Sequence, residues 1–184
     1  MTPPATPNPA ADLDRDIRSA VREIPDFPKP GILFKDITGV LIDAALFTRA
    51  VKGMAEAFGN EQVTHVVGIE SRGFIFGAPV AVELGAGFVP MRKPGKLPSA
   101  VERVEYALEY GIDALEVHRD ALHWGHRVLI VDDVLATGGT AKAACDLIAL
   151  LGSQLVGCSF LLELTALRGA RRLGSVRSHA VTRY

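Results

Sequence analysis

The stretch "VLIVDDVLATGGTAKAA", Val128 to Ala144, decides how this chain reads. A run of β-branched apolar residues ends on two adjacent aspartates, Asp132 and Asp133. A loop of small residues with paired glycines follows, and then a run of good helix formers. A short continuous apolar run bounded in this way suits a strand buried on both faces, as in a parallel sheet. The helix is predicted from about Gly139 to Leu151, with Ala141, Ala144, Ile148 and Leu151 at helical spacing. Strand, loop and helix in succession are one unit of an α/β fold.

The chemistry of the stretch follows from its position. Carboxylates that end a strand lie at the carboxyl edge of the sheet, where open α/β sheets bind ligands. Unpaired in the interior they would be costly. Near the surface they accept hydrogen bonds from hydroxyl groups or help hold Mg²⁺. Ala136, Thr137, Gly138, Gly139 and Thr140 then offer consecutive backbone N–H groups, two hydroxyls and the start of a helix. A backbone nest beside a positive helix end is a phosphate site. Acids for hydroxyls and a nest for phosphate, a few residues apart, fit a ribose 5-phosphate. The loop is neither a Walker A sequence, since no Gly-Lys-Ser/Thr follows, nor GxGxxG. Taken alone, the glycine pair would also suit a turn capping a strand.

Working outward, Asp12 to Glu23 reads as a first helix, and "IPDFPKPG" (Ile24 to Gly31) as a rigid connector. "ILFKDIT" is a short extended piece, and Ala44 to Phe58 is helical up to a C-cap at Gly59. "HVVGIE" is a buried strand, followed by "SRG" and a helix from about Phe74 to Leu84. "GFVPMRK" is a third strand. In Val101 to Tyr110, Val104, Tyr106, Leu108 and Tyr110 alternate with Arg103, Glu105, Ala107 and Glu109. That is the period of a half-exposed strand. Gly111 and Asp113 mark a turn, and Leu115 and Val117 continue the alternation, so a hairpin projecting from the main body is predicted. "LVGCSFLLEL" is a long buried strand. "SVRSHAVTRY" is more polar than a final strand should be. The fold class is α/β: a single-domain open, mostly parallel sheet flanked by helices, with a small hairpin.

Bulk properties set limits. The chain has 184 residues, 48% of them hydrophobic, enough for one domain with a real core. Its 20 basic and 21 acidic residues leave a net charge of −1, which gives no general field for nucleic acid or membrane. Cys145 and Cys158 fall in different elements without metal-ligand spacing, and read as small core hydrophobes in a reduced, cytoplasmic setting. "MTPPATPNPAADLD" has no apolar segment of a secretory signal, so residues 1–11 are expected to form a disordered arm ahead of a domain over residues 12–184. No apolar run approaches the ~18–20 residues that span a membrane.

At these residues the sequence resembles a known family. "VLIVDDVLATGGT" is similar to the phosphoribosyl pyrophosphate (PRPP) signature of type I phosphoribosyltransferases. "DFPKPGILFKDIT", "GIESRGFIFGAPVA" and "RKPGKLP…YALEYG" narrow the likeness to the adenine phosphoribosyltransferases, over about residues 13 to 170. The resemblance implies the type I phosphoribosyltransferase fold, with residues 93–118 as a flexible loop and hood hairpin. It implies purine salvage: adenine and PRPP, with Mg²⁺, give AMP and pyrophosphate.

Residue by residue, it assigns Asp132 and Asp133 to the ribose hydroxyls and Ala136 to Thr140 to the 5-phosphate. Ser71, Arg72 and Gly73 match the pyrophosphate loop. An anion there is also expected from a strand end meeting a helix start with a forked donor, although Arg72 alone would suit a surface ion pair. Arg92, Lys93 and Lys96 match basic residues near the pyrophosphate; alone, "RKPGK" reads as a solvated loop. Glu109 matches the catalytic glutamate of "LEYG". Leu33 and Lys35 would read the adenine edge through their main chain, and Lys35 would otherwise be an ordinary surface lysine. No dedicated protein metal site is implied; Mg²⁺ arrives with PRPP, near Asp132. Members are usually homodimers, and neither nucleic acid nor membrane is an implied partner. Two alternatives stay open: the same transfer to hypoxanthine, guanine, xanthine or orotate, or a non-catalytic PRPP-sensing regulator.

Overall fold

The computed structural model describes residues 9–107 and 111–184. They divide into two compact units, one ending at Gly53 and one running from Met54 to Tyr184. Residues 1–8 of the expected arm and the catalytic candidate Glu109 lie outside the described residues.

In the first unit, helix α1 (Pro9–Ala20) is followed by strands β1 (Arg22–Pro25) and β2 (Leu33–Asp36), then α2 (Thr38–Ile42). Helix α1 starts at Pro9 rather than Asp12, so residues 9–11 are helical and not part of an arm. Proline suits a first helical position, because its missing N–H would have no helical partner there. The helix also stops earlier than expected, because Arg22 and Glu23 pair with β2 instead. The strands are antiparallel, with Glu23 opposite Lys35 and Pro25 opposite Leu33. Pairing across strands thus outweighs the helical tendency of "VRE". Helix α3 (Ala44–Glu56) contains the division between Gly53 and Met54.

The second unit is built on a five-stranded parallel sheet: β3 (His65–Ile69), β4 (Gly87–Met91), β7 (Arg127–Leu135), β8 (Gln154–Glu163) and β9 (Ser178–Arg183). The spatial order is β4-β3-β7-β8-β9. Helix α4 (Arg72–Leu84) joins β3 to β4, and α5 (Gly139–Leu150) joins β7 to β8. A 3-10 turn (Thr165–Leu167) and short α6 (Gly169–Arg172) precede β9. Val128 to Val131 are fully buried, as a central parallel strand demands. Strand β9 sits at the edge, where only Ala180 and Thr182 are buried. An edge position explains the polar tail, since one face needs little apolar cover.

This topology locates the site. After β3 the chain runs outward to the edge strand β4, then returns across β3 to start β7 on its other side. The direction in which successive strands are laid across the sheet therefore reverses between the parallel neighbours β3 and β7, and ligands bind beyond the carboxyl ends of such a pair. Ser71 to Gly73 follow β3, and Asp132 to Thr140 lie at and beyond the end of β7.

The hairpin is β5 (Val101–Ala107) with β6 (Ile112–His118), antiparallel. Along β5, exposed Arg103, Glu105 and Ala107 alternate with half-buried Val104 and Tyr106, as the sequence pattern requires. Strand β6 departs from it, because Ala114, Leu115, Glu116 and Val117 are all buried. The backbones of Arg92 and Glu116 exchange hydrogen bonds of 2.8 and 2.7 Å, and Leu115 and Val117 join the main core. The base of the hairpin is thus part of the body rather than a projection from it. Cys145 and Cys158 are buried in α5 and β8 with sulfurs 3.8 Å apart.

Candidate active site

Two helices begin at the switch point, and among the described residues no side chain caps either one. Uncapped starts leave backbone N–H groups without intrahelical partners. Helix α4 spans 13 residues and α5 spans 12, so both have a full dipole behind those groups. Gly73 seats α4 against the end of β7: a Cβ there would lie 2.8 Å from Oδ1 of Asp132 and 2.9 Å from the Val131 carbonyl oxygen. Only glycine allows that approach, which brings the Ser71–Gly73 loop beside the acid pair. The peptide between Glu70 and Ser71 is cis. Gly138 has φ +80°, and a Cβ there would meet the Gly169 carbonyl oxygen at 2.4 Å. The loop Ala136 to Thr140 is thereby packed onto the start of α6.

The acid pair is held under strain. Asp133 is buried and Asp132 half-buried. Burial, and then the charge of Asp133, pushes the Asp132 carboxyl well above the usual range. Burial also raises Asp133, against the opposing pull of the Arg72 guanidinium. Nε of Arg72 lies 2.8 Å from Oδ2 of Asp133. The contact is an ion pair without hydrogen-bond alignment, and that buried oxygen has no hydrogen-bond partner among the described residues. A buried acceptor without a donor is a demand on a ligand that can donate a hydrogen bond.

The basic loop converges on a residue that sequence reasoning passed over, Glu70. Its carboxylate takes Nε of Arg92 at 3.2 Å and the backbone N–H of Lys93 at 3.0 Å, and pairs with Nζ of Lys96. Burial disfavours the charge on Glu70, but the hydrogen bonds and charges of Lys96, Lys93 and Arg92 outweigh it and hold the carboxyl below its ordinary value. Because Glu70 directly precedes Ser71, Arg92 and Lys96 stand next to the Ser71–Gly73 loop. Lys93 turns the other way, onto Asp113 and the hydroxyl of Tyr106 at 2.8 Å. Burial opposes the charge on Lys93, and these partners raise its affinity for the proton above the usual lysine value. Tyr106 in turn receives the Thr140 hydroxyl at 3.3 Å and donates to Asp113 at 3.2 Å. It ties the hairpin to the first turn of α5. Glu70 went unmarked in the sequence, where its one signal was adjacency to "SRG"; Tyr106 was read only as one face of a strand and Asp113 only as part of a turn, whereas Asp113 lies within β6 opposite Tyr106.

In the first unit, Leu33 is half exposed on β2, and Lys35 is buried and paired with Glu23 opposite it. Lys35 is therefore not a surface lysine. Its side chain is occupied by that ion pair.

Comparison with known proteins gives this geometry its family. A family model described as a phosphoribosyl transferase domain matches residues 42–180. An adenine phosphoribosyltransferase from Myxococcus xanthus is 55% identical over 179 residues, 96% of each chain. The chain belongs to the adenine phosphoribosyltransferases. Among solved structures, the adenine phosphoribosyltransferase of Rhodothermus marinus superposes with a TM-score of 0.90 at 50% identity, over 95% of this chain and 99% of that one. The Saccharomyces cerevisiae adenine phosphoribosyltransferase, complexed with adenine and an imino-altritol bisphosphate, gives 0.88 at 38% identity over 93% and 99%. The fold expected of an adenine phosphoribosyltransferase, a central parallel sheet flanked by helices with a small antiparallel hairpin, is the one observed.

Proposed function

We propose that the protein transfers the 5-phosphoribosyl group of PRPP to adenine, giving AMP and pyrophosphate in purine salvage. One observation carries the site assignment: two uncapped helix starts flank a buried carboxylate oxygen that lacks a donor, all at the switch point of the sheet. A ligand with two anionic ends and hydroxyls between them answers all three demands.

In this reading Asp132 and Asp133 accept hydrogen bonds from the ribose hydroxyls. Backbone N–H groups and hydroxyls of Ala136 to Thr140 bind the 5-phosphate. Ser71, Arg72, Gly73, Arg92 and Lys96 surround the pyrophosphate, where fixed cations favour its departure; Lys93, expected there from the sequence, is instead turned onto Asp113 and Tyr106. The N9–C1′ bond forms as the C1′–oxygen bond breaks. The electron pair leaves with pyrophosphate, and adenine gives up its imidazole proton. Glu109 manages that proton as a positioned base; the assignment rests on its place in "LEYG". Leu33 and Lys35 match adenine through main-chain donors and acceptors, and a 6-oxopurine would leave such groups unpaired. Residues 93–118 form the hood that excludes water from the reacting sugar.

The Asp132 oxygens are hard donors of the kind that Mg²⁺ takes together with substrate oxygens and water. Bound there with PRPP, Mg²⁺ would neutralise charge on the leaving pyrophosphate. The reading extends to a homodimer in the cytoplasm without a nucleic-acid partner; the near-zero net charge supports the last point. No helix among the described residues is long and apolar enough to cross a membrane.

The test is turnover with PRPP and Mg²⁺ against adenine, hypoxanthine, guanine, xanthine and orotate. Consumption of adenine alone, with AMP formed, is expected. Preferential use of another base would overturn the reading.

A further inference from the structure

The phosphate loop Ala136 to Thr140 contains no cation of its own, yet a phosphate monoester carries close to two negative charges at neutral pH. The fold brings one to it from a distant part of the chain. Helix α6 is seated on the loop by backbone contact: a Cβ on Gly169 would stand 2.2 Å from the Ala136 carbonyl oxygen and 3.0 Å from the Gly138 nitrogen. Because α6 starts there, Arg172 at its far end reaches back over the loop. Its Nη1 lies 3.3 Å from the point that a Cβ on Gly139 would occupy, with the Ala107 carbonyl oxygen 3.4 Å from the same point. Arg172 is exposed and has no carboxylate partner among the described residues. Arg72 and Arg92, by contrast, both spend their charge on carboxylates.

We propose that Arg172 is a direct ligand of the 5-phosphate, in PRPP and in the product mononucleotide. The glycine at 139 leaves the guanidinium room to approach the nest from the solvent side. Its planar fork supplies two parallel donors, a geometry that matches phosphate oxygens. Backbone N–H groups then bind one side of the phosphate and Arg172 closes the other. The inference rests on the reading of Ala136 to Thr140 as the 5-phosphate loop.

The experiment compares Arg172→Gln, Arg172→Lys and the neighbouring Arg171→Gln. It measures PRPP KM and kcat, and calorimetric binding of ribose 5-phosphate and of adenine. Arg172→Gln is expected to raise the PRPP KM and the ribose 5-phosphate Kd by ~10-fold, the size of one lost charged hydrogen bond, with little change in kcat. Arg172→Lys, which keeps the charge and loses the fork, should recover only part of the loss. Arg171→Gln and adenine binding should stay at wild-type values. An unchanged ribose 5-phosphate Kd in Arg172→Gln overturns the proposal. So does an equal loss in Arg171→Gln, which would reveal a general field rather than a contact. If the wild type turns over no adenine, the functional reading fails, and the ribose 5-phosphate comparison still decides the role of Arg172.

Discussion

Arg72 Nε stands 2.8 Å from Oδ2 of Asp133, so the Ser71–Gly73 loop and the acid pair at the end of β7 are electrostatically joined before any ligand arrives. The guanidinium is the main cation holding Asp133 down against burial. Replacing Arg72 by Met removes that pull, and the Asp133 carboxyl rises further. Protonated acids accept ribose hydroxyls poorly, so activity should fail at a higher pH than in the wild type. The expected outcome is an acid limb of kcat/KM shifted upward in pH, together with a PRPP KM at neutral pH raised by ~10-fold or more. A pH–rate profile of both proteins checks this. An acid limb at the wild-type position would show that Asp133 titration does not govern binding.

The same pair sets activity against stability. Both carboxyls are raised in the folded state, so the folded protein binds more protons than the unfolded chain between the ordinary aspartate value and the folded one. Stability therefore falls as pH rises through that window, and the ionised pair is a cost at neutral pH. Asp132→Asn removes one charge at nearly constant shape. It should raise Tm at pH 7 by about 2–4 °C, the shift of ~1 kcal/mol for a chain of this size, while weakening PRPP binding. The Tm difference should vanish toward pH 3, where both proteins are neutral at this position. Calorimetric melts across that pH range provide the check, and a variant less stable at pH 7 would contradict it.

Gly138 is required twice over, by its φ of +80° and by the Gly169 carbonyl oxygen 2.4 Å from where a Cβ would stand. Alanine there must push α6 away or twist the loop. We expect Gly138→Ala to cost on the order of 1–3 kcal/mol of stability. The PRPP KM should also rise, because the nest and Arg172 would no longer face the same point. Thermal melts with PRPP titrations measure both effects; a stable variant with unchanged PRPP KM would show that the loop tolerates the shift.

The strand–loop–helix unit was legible because its elements are contiguous: burial pattern, acids and nest all lie within Val128 to Ala144. Parallel pairing follows from the fully apolar run, and the polar tail becomes intelligible once β9 is an edge. The Glu70 cluster was hidden because its partners lie 22, 23 and 26 positions away and meet it only when β4 lies beside β3. Glu116 misled in the opposite direction. Alternation marks it as solvated, yet its carboxylate is buried and accepts the Gly95 N–H at 2.9 Å, since β6 pairs with the Arg92 backbone as well as with β5. Period-two patterns report one face of an isolated hairpin and are blind to a third segment that covers the other face.

Tyr106 gives the last prediction, because its hydroxyl is the node through which Lys93, Asp113 and Thr140 meet. Phenylalanine keeps the ring and its packing and removes the node. Lys93 retains Asp113, so the ion pair survives and global stability should drop by only ~1 kcal/mol. The link between β5 and the first turn of α5 is lost, however, and opening of the hairpin becomes easier. Hydrogen exchange of amides in Val101–Ala107 should accelerate in Tyr106→Phe, while amides of β7 and β8 keep wild-type protection. If the hood gates water from the reacting sugar, the same variant should hydrolyse PRPP faster relative to AMP formation. Unchanged exchange in β5 would mean that ring packing, not the hydroxyl node, holds the hairpin to α5.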